Sequence, residues 1–391
     1  ILGFAIFALS GCGGGGGSSS SQGATPTAGL ASGTIEGFGS VIVNGVKFEV
    51  EGAEVEFEHG VTTIISGATQ TQHLNEGMQV RVEGSFDDNG QTGTATRIIV
   101  DDELEGEVTA LTTNATTGVV TFTILGQTVL AVPGSTFIDD SSPLNGQIIN
   151  LATGQFVEVH GLPDGAGTLQ ATFIEHKAAS QSSFDLLSGG EGELELTGAI
   201  TALGTGNLFS IGSQQVDTTS ATVDGSLSVG TLVEVKGTLN GAILEASRVH
   251  VEDGFGSQLA KIELEGLVRN LDNPTAGQFS LNGQLVDYSS ATFYGGVQAD
   301  LINGLKVEAE GPIVNSLLVA RKIKFKDSFR YEGAVTQLNA TTLQISVPAP
   351  AGGTLDVLVD TDIAMVQSGL DYANNNIKLR ARIANGSNLV A

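Results

Sequence analysis

The chain has 391 residues, 40% of them hydrophobic but only 15% charged, with 54 Gly and no Trp. Low charge and abundant glycine suit strands and tight turns and exclude a helix-rich protein. The 43 Asp and Glu stand against 17 Lys and Arg, a formal net charge of −26, which repels phosphate backbones and anionic headgroups, so neither nucleic acid nor a charged membrane surface is an expected partner.

Ile1-Leu-Gly-Phe-Ala-Ile-Phe-Ala-Leu-Ser-Gly-Cys12 opens the sequence. The apolar run is too short to span a bilayer and ends in small residues, the pattern of a signal-peptide hydrophobic region and its cleavage site. With one cysteine in the chain, an intramolecular disulfide and a thiolate zinc cluster are excluded. Leu9-Ser10-Gly11-Cys12 resembles the bacterial lipobox. That resemblance implies cleavage before Cys12 and a diacylglycerol on its sulfur, and Gly13 in place of Asp implies sorting to the outer membrane. The expected initiator Met and charged leader residues lie before Ile1. Residues 13–32 are mostly Gly, Ser, Thr and Ala with one Pro, a flexible tether reaching roughly 25 Å.

Repeats then begin. Gly33, Gly106, Gly198, Gly266 and Gly333 each stand in an apolar strand, at spacings of 73, 92, 68 and 67 residues. The long interval contains the polar stretch 178–191, which reads as a linker. A period near 70 is too long for a solenoid coil and fits one small β unit. The units expected are 33–103, 104–177, 192–252, 261–327 and 328–391, with a second linker at 253–260. The short acidic connector Asp101-Asp-Glu-Leu-Glu105 favours a semi-rigid rod of beads.

Within each unit the pattern is regular. Val41, Val43, Gly45 and Phe48 match Phe122, Ile124, Gly126 and Val129, then Phe209, Ile211, Ser213 and Val216, then Phe279, Leu281, Gly283 and Val286. Alternate apolar residues bury one face of a strand, and Asn44-Gly45 and Asn282-Gly283 are strong hairpin turns. A strand Val80-Arg-Val-Glu-Gly84 returns as Val157-Glu-Val-His-Gly161, Val233-Glu-Val-Lys-Gly237 and Val307-Glu-Ala-Glu-Gly311, and in worn form as Leu379-Arg-Ala-Arg-Ile383. Each is followed by a strand beginning at Ala95, Ala171, Ala246 or Ala320. The fifth unit aligns Leu389-Val-Ala391 with residues ahead of that last strand, so the chain is expected to continue past Ala391.

Five or six short strands per unit predict an all-β chain of about five tandem barrels, closed so that no edge is left open. A topology like the oligosaccharide/oligonucleotide-binding (OB) barrel is expected, with a small sandwich as the other solution. A unit of ~70 residues has a marginal core, so neighbours should support one another. The ordered set of motifs resembles a family of repeats in bacterial secreted proteins and lipoproteins catalogued as a domain of unknown function. The resemblance implies a barrel-like repeat and export, and brings no catalytic residues.

The candidate chemistry is sparse. His59, His73, His160, His176 and His250 are the histidines. His160 occupies a position held elsewhere by Glu83, Lys236 and Glu310, which reads as solvent-facing decoration. There is no Gly-x-Ser-x-Gly elbow and no His-Glu-x-x-His, the signatures of a hydrolase nucleophile and a zinc site. Asp87 to Asn89, Asp139 with Asp140, Asp101 to Glu103, and Asp272 with Asn273 are oxygen-rich, but each offers fewer ligands than the six to eight calcium takes. No cofactor, metal or catalytic residue is therefore expected. The expected function is a non-catalytic envelope lipoprotein, a tandem β stalk that binds an envelope protein or polysaccharide or spaces one from the membrane. The alternative is a carbohydrate-binding or hydrolytic module using one barrel groove. It should show a local break in the repeat, for which the loop from Ser66 to Gln79 and the pair Tyr288 and Tyr294 are the candidates.

Overall fold

A computed structural model describes residues 26–57, 61–65, 74–87, 90–115, 117–164, 167–187, 192–252, 255, 258–272, 275–327, 329–338, 342–348, 354–360, 376–383 and 389–390. Five barrels follow one another, each closed in the strand order first, second, third, fifth, fourth, first, with third and fifth parallel. This is the OB-like connectivity expected from the sequence. In barrel 1 the strands are Thr27–Gly37, Val41–Val43, Val46–Glu49, Gln79–Phe86 and Thr92–Val100. Barrel 3 repeats them as Leu194–Leu203, Leu208–Ile211, Gln214–Asp217, Leu232–Asn240 and Ile243–Val251. Barrel 5 is closed by the short strand Leu389–Val390, parallel to Thr354–Asp360. This strand corresponds to Leu317–Val319 of barrel 4, as the sequence alignment expects.

The apolar spacing is what fills each barrel. Val41, Val43 and Phe48 are fully buried, as are Phe122, Ile124 and Val129, Phe209, Ile211 and Val216, and Phe279, Leu281 and Val286. Asn44-Gly45 and Asn282-Gly283 turn with φ of 56° and 80° and of 43° and 78°, the double positive φ that a two-residue hairpin demands.

The glycine that ends Val-x-Val-x-Gly has a steric cause. The register slips at Glu83/Gly84, His160/Gly161 and Lys236/Gly237, a β-bulge in each barrel. The glycine there faces the Ala of the fifth strand, in the pairs Gly84↔Ala95, Gly161↔Ala171 and Gly237↔Ala246. A Cβ on Gly161 would sit 2.7 Å from the Gln170 carbonyl oxygen, and one on Gly237 would press into that of Glu245 still harder. Backbone cannot yield as a side-chain tip can. Gly237→Ala should therefore cost about 2–4 kcal/mol, read as a fall in the urea midpoint. A cost under 0.5 kcal/mol would show that the bulge relaxes freely.

Three boundaries differ from the sequence reading. The first strand starts at Thr27, and Leu30 and Ala31 are buried, so residues 27–32 belong to barrel 1 and not to the tether. The expected linker 178–191 contains a short helix, Gln181–Leu187. Its Phe184 is buried and stacks on Phe156 with ring centroids 4.6 Å apart. Polar composition hid one apolar anchor. The strand Gln258–Leu267 begins within the second expected linker, 253–260.

The barrels are not strung out as a rod. Barrel 1 pairs with barrel 4 through parallel first strands, Leu30↔Ile262, Ala31↔Glu263 and Ser32↔Leu264. Barrel 2 pairs with barrel 3 through Glu195↔Glu105 and Leu196↔Leu104. Phe173 of barrel 2 is buried in the apolar core of barrel 1. Pairing merges strands of barrels 1 and 4 into one continuous sheet and those of barrels 2 and 3 into another. A small core that cannot stand alone gains its missing cover from a neighbour.

Candidate functional site

The outer face of a lone barrel would be wet, yet here it carries buried charge. On the seam between barrels 1 and 4, Gln79 Nε2 donates to Thr34 Oγ1 at 2.8 Å and to Thr172 Oγ1 of barrel 2 at 3.1 Å. Thr34 Oγ1 donates to Glu265 Oε1 at 2.6 Å, and Lys306 Nζ reaches the same oxygen at 2.8 Å. Three barrels thus share one hydrogen-bonded relay. Burial opposes the Glu265 charge, but Lys306, Lys326 and the hydrogen bonds from Lys306 and Thr34 outweigh it and hold the carboxyl below its ordinary range. Lys324 and Lys326 close on Glu308, at 2.5 Å and 3.3 Å, and Lys326 also holds Glu36 of barrel 1 at 2.9 Å. Lys261 lies 3.0 Å from Glu263.

On the seam between barrels 2 and 3, strand register sets Glu105 directly opposite Glu195. Like charges facing across a ladder are unfavourable. Lys236 Nζ sits 3.0 Å from Glu195 and 3.5 Å from Glu234, and Lys177 Nζ is 2.6 Å from Glu158. Burial nevertheless pushes Glu105 up to about 7, with Lys177 pulling against it and Glu158 adding to it.

Where the barrels meet there is a cleft of about 280 Å³. Its walls come from the connector Asp101 to Glu103, from Arg81 and Glu56 of barrel 1, from Glu234, Arg248 and Glu252 of barrel 3, and from Asn282 of barrel 4. Burial raises Asp101 to about 6, opposed by Arg81 and reinforced by Glu252 and Glu234. Glu103 is raised well above the carboxylate range by burial, then by Asp101, Glu252 and Glu234. The cleft can concentrate positive charge or hold protons.

The histidine at the variable position is not decoration. His160 is fully buried at the joint of barrels 1 and 2. Its Nδ1–H donates to the Asp101 carbonyl at 2.8 Å, and Nε2 lies 3.0 Å from Glu158. Lys236, at the same position in barrel 3, is also buried, while Glu310 and Glu83 are partly so. His160 and Lys236 lie against the connector and the seam of barrels 2 and 3, while Glu310 pairs with Lys261 and Lys322 of its own barrel. His250 lies 3.1 Å from Asp224; His59, His73 and Cys12 lie outside the described residues, as do Asp88, Asn89 and Asn273.

The acidic turns bond within themselves. The Asp139 carboxylate accepts from the Ser141 N–H at 2.9 Å and from the Ser141 hydroxyl at 2.5 Å. Asp272 accepts from the Gly277 N–H and the Tyr288 hydroxyl, both at 2.7 Å. Asp87 accepts from the Thr92 hydroxyl. Among the described residues no trio of His, Cys, Asp and Glu is placed to hold a metal ion. Tyr288 is buried against Phe279, with centroids 5.3 Å apart, which makes it a core residue and not the edge of a groove. Burial and the Asp272 contact push its hydroxyl up to about 12. Most of the Ser66–Gln79 loop, residues 66–73, lies outside the described residues.

The profile of a family described as a domain of unknown function, DUF5666, matches residues 32–99, 105–175, 197–250 and 265–324. The chain belongs to this family. The four matches coincide with barrels 1 to 4, while the fifth unit joins them by strand order alone. No curated protein matches the chain. One similar solved structure is Drosophila Unr CSD456, at 15% identity over 55% of this chain and 96% of its own, with a TM-score of 0.13. The barrel assignment rests on the strand order and not on that likeness.

Proposed function

We propose that this DUF5666 chain is a non-catalytic module of an exported lipoprotein, tied to the bacterial envelope by lipid at Cys12 and presenting a fixed cluster of barrels for binding or spacing. One observation supports the reading above others. Polar side chains bridge the barrels: Thr34 of barrel 1 bonds Glu265 of barrel 4, Lys326 of barrel 4 pairs with Glu36 of barrel 1, and His160 of barrel 2 bonds the connector at Asp101. Residues spent on assembly make a platform of set shape.

The anchor is tested by growing a bacterium that expresses the protein with an alkyne fatty acid. The protein should take up the label and sediment with membranes, and Cys12→Ala should lose both. An unlabelled wild type, or a labelled variant, would remove the lipid from the proposal.

A polysaccharide partner is favoured by one feature, an open groove on barrel 3 lined by Asp217, Thr219, Glu245 and Ser247. Carboxylates and hydroxyls side by side suit sugar hydroxyls. Immobilised protein should be offered envelope proteins and cell-surface polysaccharide, with calcium and with chelator. Saturable capture of either decides the partner, and empty beads would leave a spacer.

A further inference from the structure

Residues 101–103 are where three barrels are tied together. The Asp101 N–H donates to the Gln79 carbonyl of barrel 1 at 3.1 Å, and the Glu103 N–H to that of Val159 in barrel 2, also at 3.1 Å. The Thr197 N–H of barrel 3 donates to the Glu103 carbonyl at 2.8 Å. His160 adds its bond to the Asp101 carbonyl. Opening the cluster at this point must break bonds to a different barrel at each step.

The Asp101 and Glu103 side chains line the cleft. Facing them from barrel 3 are Glu234 and Glu252, with Lys236, Arg248 and His250 on the same wall. Barrel 1 contributes Arg81 and Glu56, barrel 2 His160, and the connector its own Asp102. Arg269 of barrel 4 shares a smaller cavity with Glu103. Several of the cations are already engaged. Lys236 lies against Glu195 and Glu234, and His250 against Asp224. Across the cleft Asp101 and Glu103 feel the carboxylates of Glu234 and Glu252, and Arg81 is the main positive group acting on Asp101.

We propose that the Asp101–Glu103 connector is a proton-operated clasp: with its carboxyls protonated, barrels 1, 2 and 3 close around the cleft, and with them ionised the closure loosens. The raised affinity of both carboxyls for a proton agrees with this. A carboxyl that holds its proton more tightly in the closed form favours closure in acid. That advantage drains away as pH climbs from the ordinary carboxylate value through the closed-form value. Asp101 moves from 3.8 to about 6, so its share alone is up to about 100-fold in the closing equilibrium, lost between roughly pH 4 and 7. The device rests on the position of the connector and not on the lipid anchor.

The test is amide hydrogen exchange on the intact protein at pH 5 and pH 8, corrected for the intrinsic exchange rate. Protection of the Thr197 amide, which crosses from barrel 3 to the connector, should fall at least about 10-fold at the higher pH. The amides of Val82 and Val235, inside barrel ladders, should hold their protection and report that the fold is intact. Asp101→Asn with Glu103→Gln should abolish the fall, and Glu252→Gln alone, on the opposite wall, should shrink it. Equal protection of the junction at both pH values overturns the clasp. So does an undiminished fall in the double variant or, should that variant not fold, in Glu252→Gln.

Discussion

Phe173→Ala is expected to cost about 3–5 kcal/mol, the range for removing a buried phenyl ring, and to act on a barrel other than its own. Phe173 is carried by the fifth strand of barrel 2, Thr168–Ala178, yet its ring is buried with Val82, Phe86 and Ile98 in the core of barrel 1. It also stands 5.8 Å from the His160 ring, so its removal opens the joint that shelters that histidine. Next to it, the Thr172 hydroxyl takes a hydrogen bond from Gln79 of barrel 1. Urea unfolding followed by hydrogen exchange should show barrel 1 opening first in the variant, ahead of barrels that open with it in the wild type. A loss confined to barrel 2, or one under 1 kcal/mol, would mean that the two barrels are independent.

Much of the barrel could be read from residues because its determinants are local. Alternation puts Val41, Val43 and Phe48 on one face, Asn-Gly sets the hairpin, and the bulge needs glycine wherever Ala opens the partner strand. The assembly left no such trace. Ala31 meets Glu263, and Thr34 bonds Glu265, across more than two hundred residues, and a period of 70 says nothing about which barrel packs on which. The variable position of Val-x-Val-x-Gly looks like a solvent position for the same reason. His160 and Lys236 differ because one meets the connector and the other the seam with barrel 2, and free exchange on a surface produces the same variety. One signal was present. Lys261, Lys306, Lys322, Lys324 and Lys326 all fall in the fourth unit of a chain with 17 Lys and Arg. These lysines answer the carboxylates of their own unit, Glu263, Glu265, Glu308 and Glu310, and Lys326 also reaches Glu36 of barrel 1.

Lys306→Met removes the cation beside a buried carboxylate on the seam between barrels 1 and 4. Glu265 is 1% exposed, and removing the lysine leaves it with the Thr34 hydroxyl and the more distant charge of Lys326. Breaking a buried pair from one side costs about 3–5 kcal/mol, and the lower end, about 3 kcal/mol, is expected because Lys326 remains. In the wild type the Glu265 carboxyl is held below its ordinary range. Its contribution is therefore complete above that range and is lost only as pH falls through the depressed value. In the variant burial dominates and the carboxyl prefers its proton. The gap between wild type and variant should then be widest near pH 7.5 and narrow toward pH 4, where the variant's Glu265 is neutral. Replacing both partners, Lys306→Met with Glu265→Met, should recover most of the loss, since two apolar side chains leave no charge stranded. A gap that stays constant from pH 4 to 7.5, or a double variant as unstable as the single, would show that packing of the lysine stem, and not the ion pair, stabilises this seam.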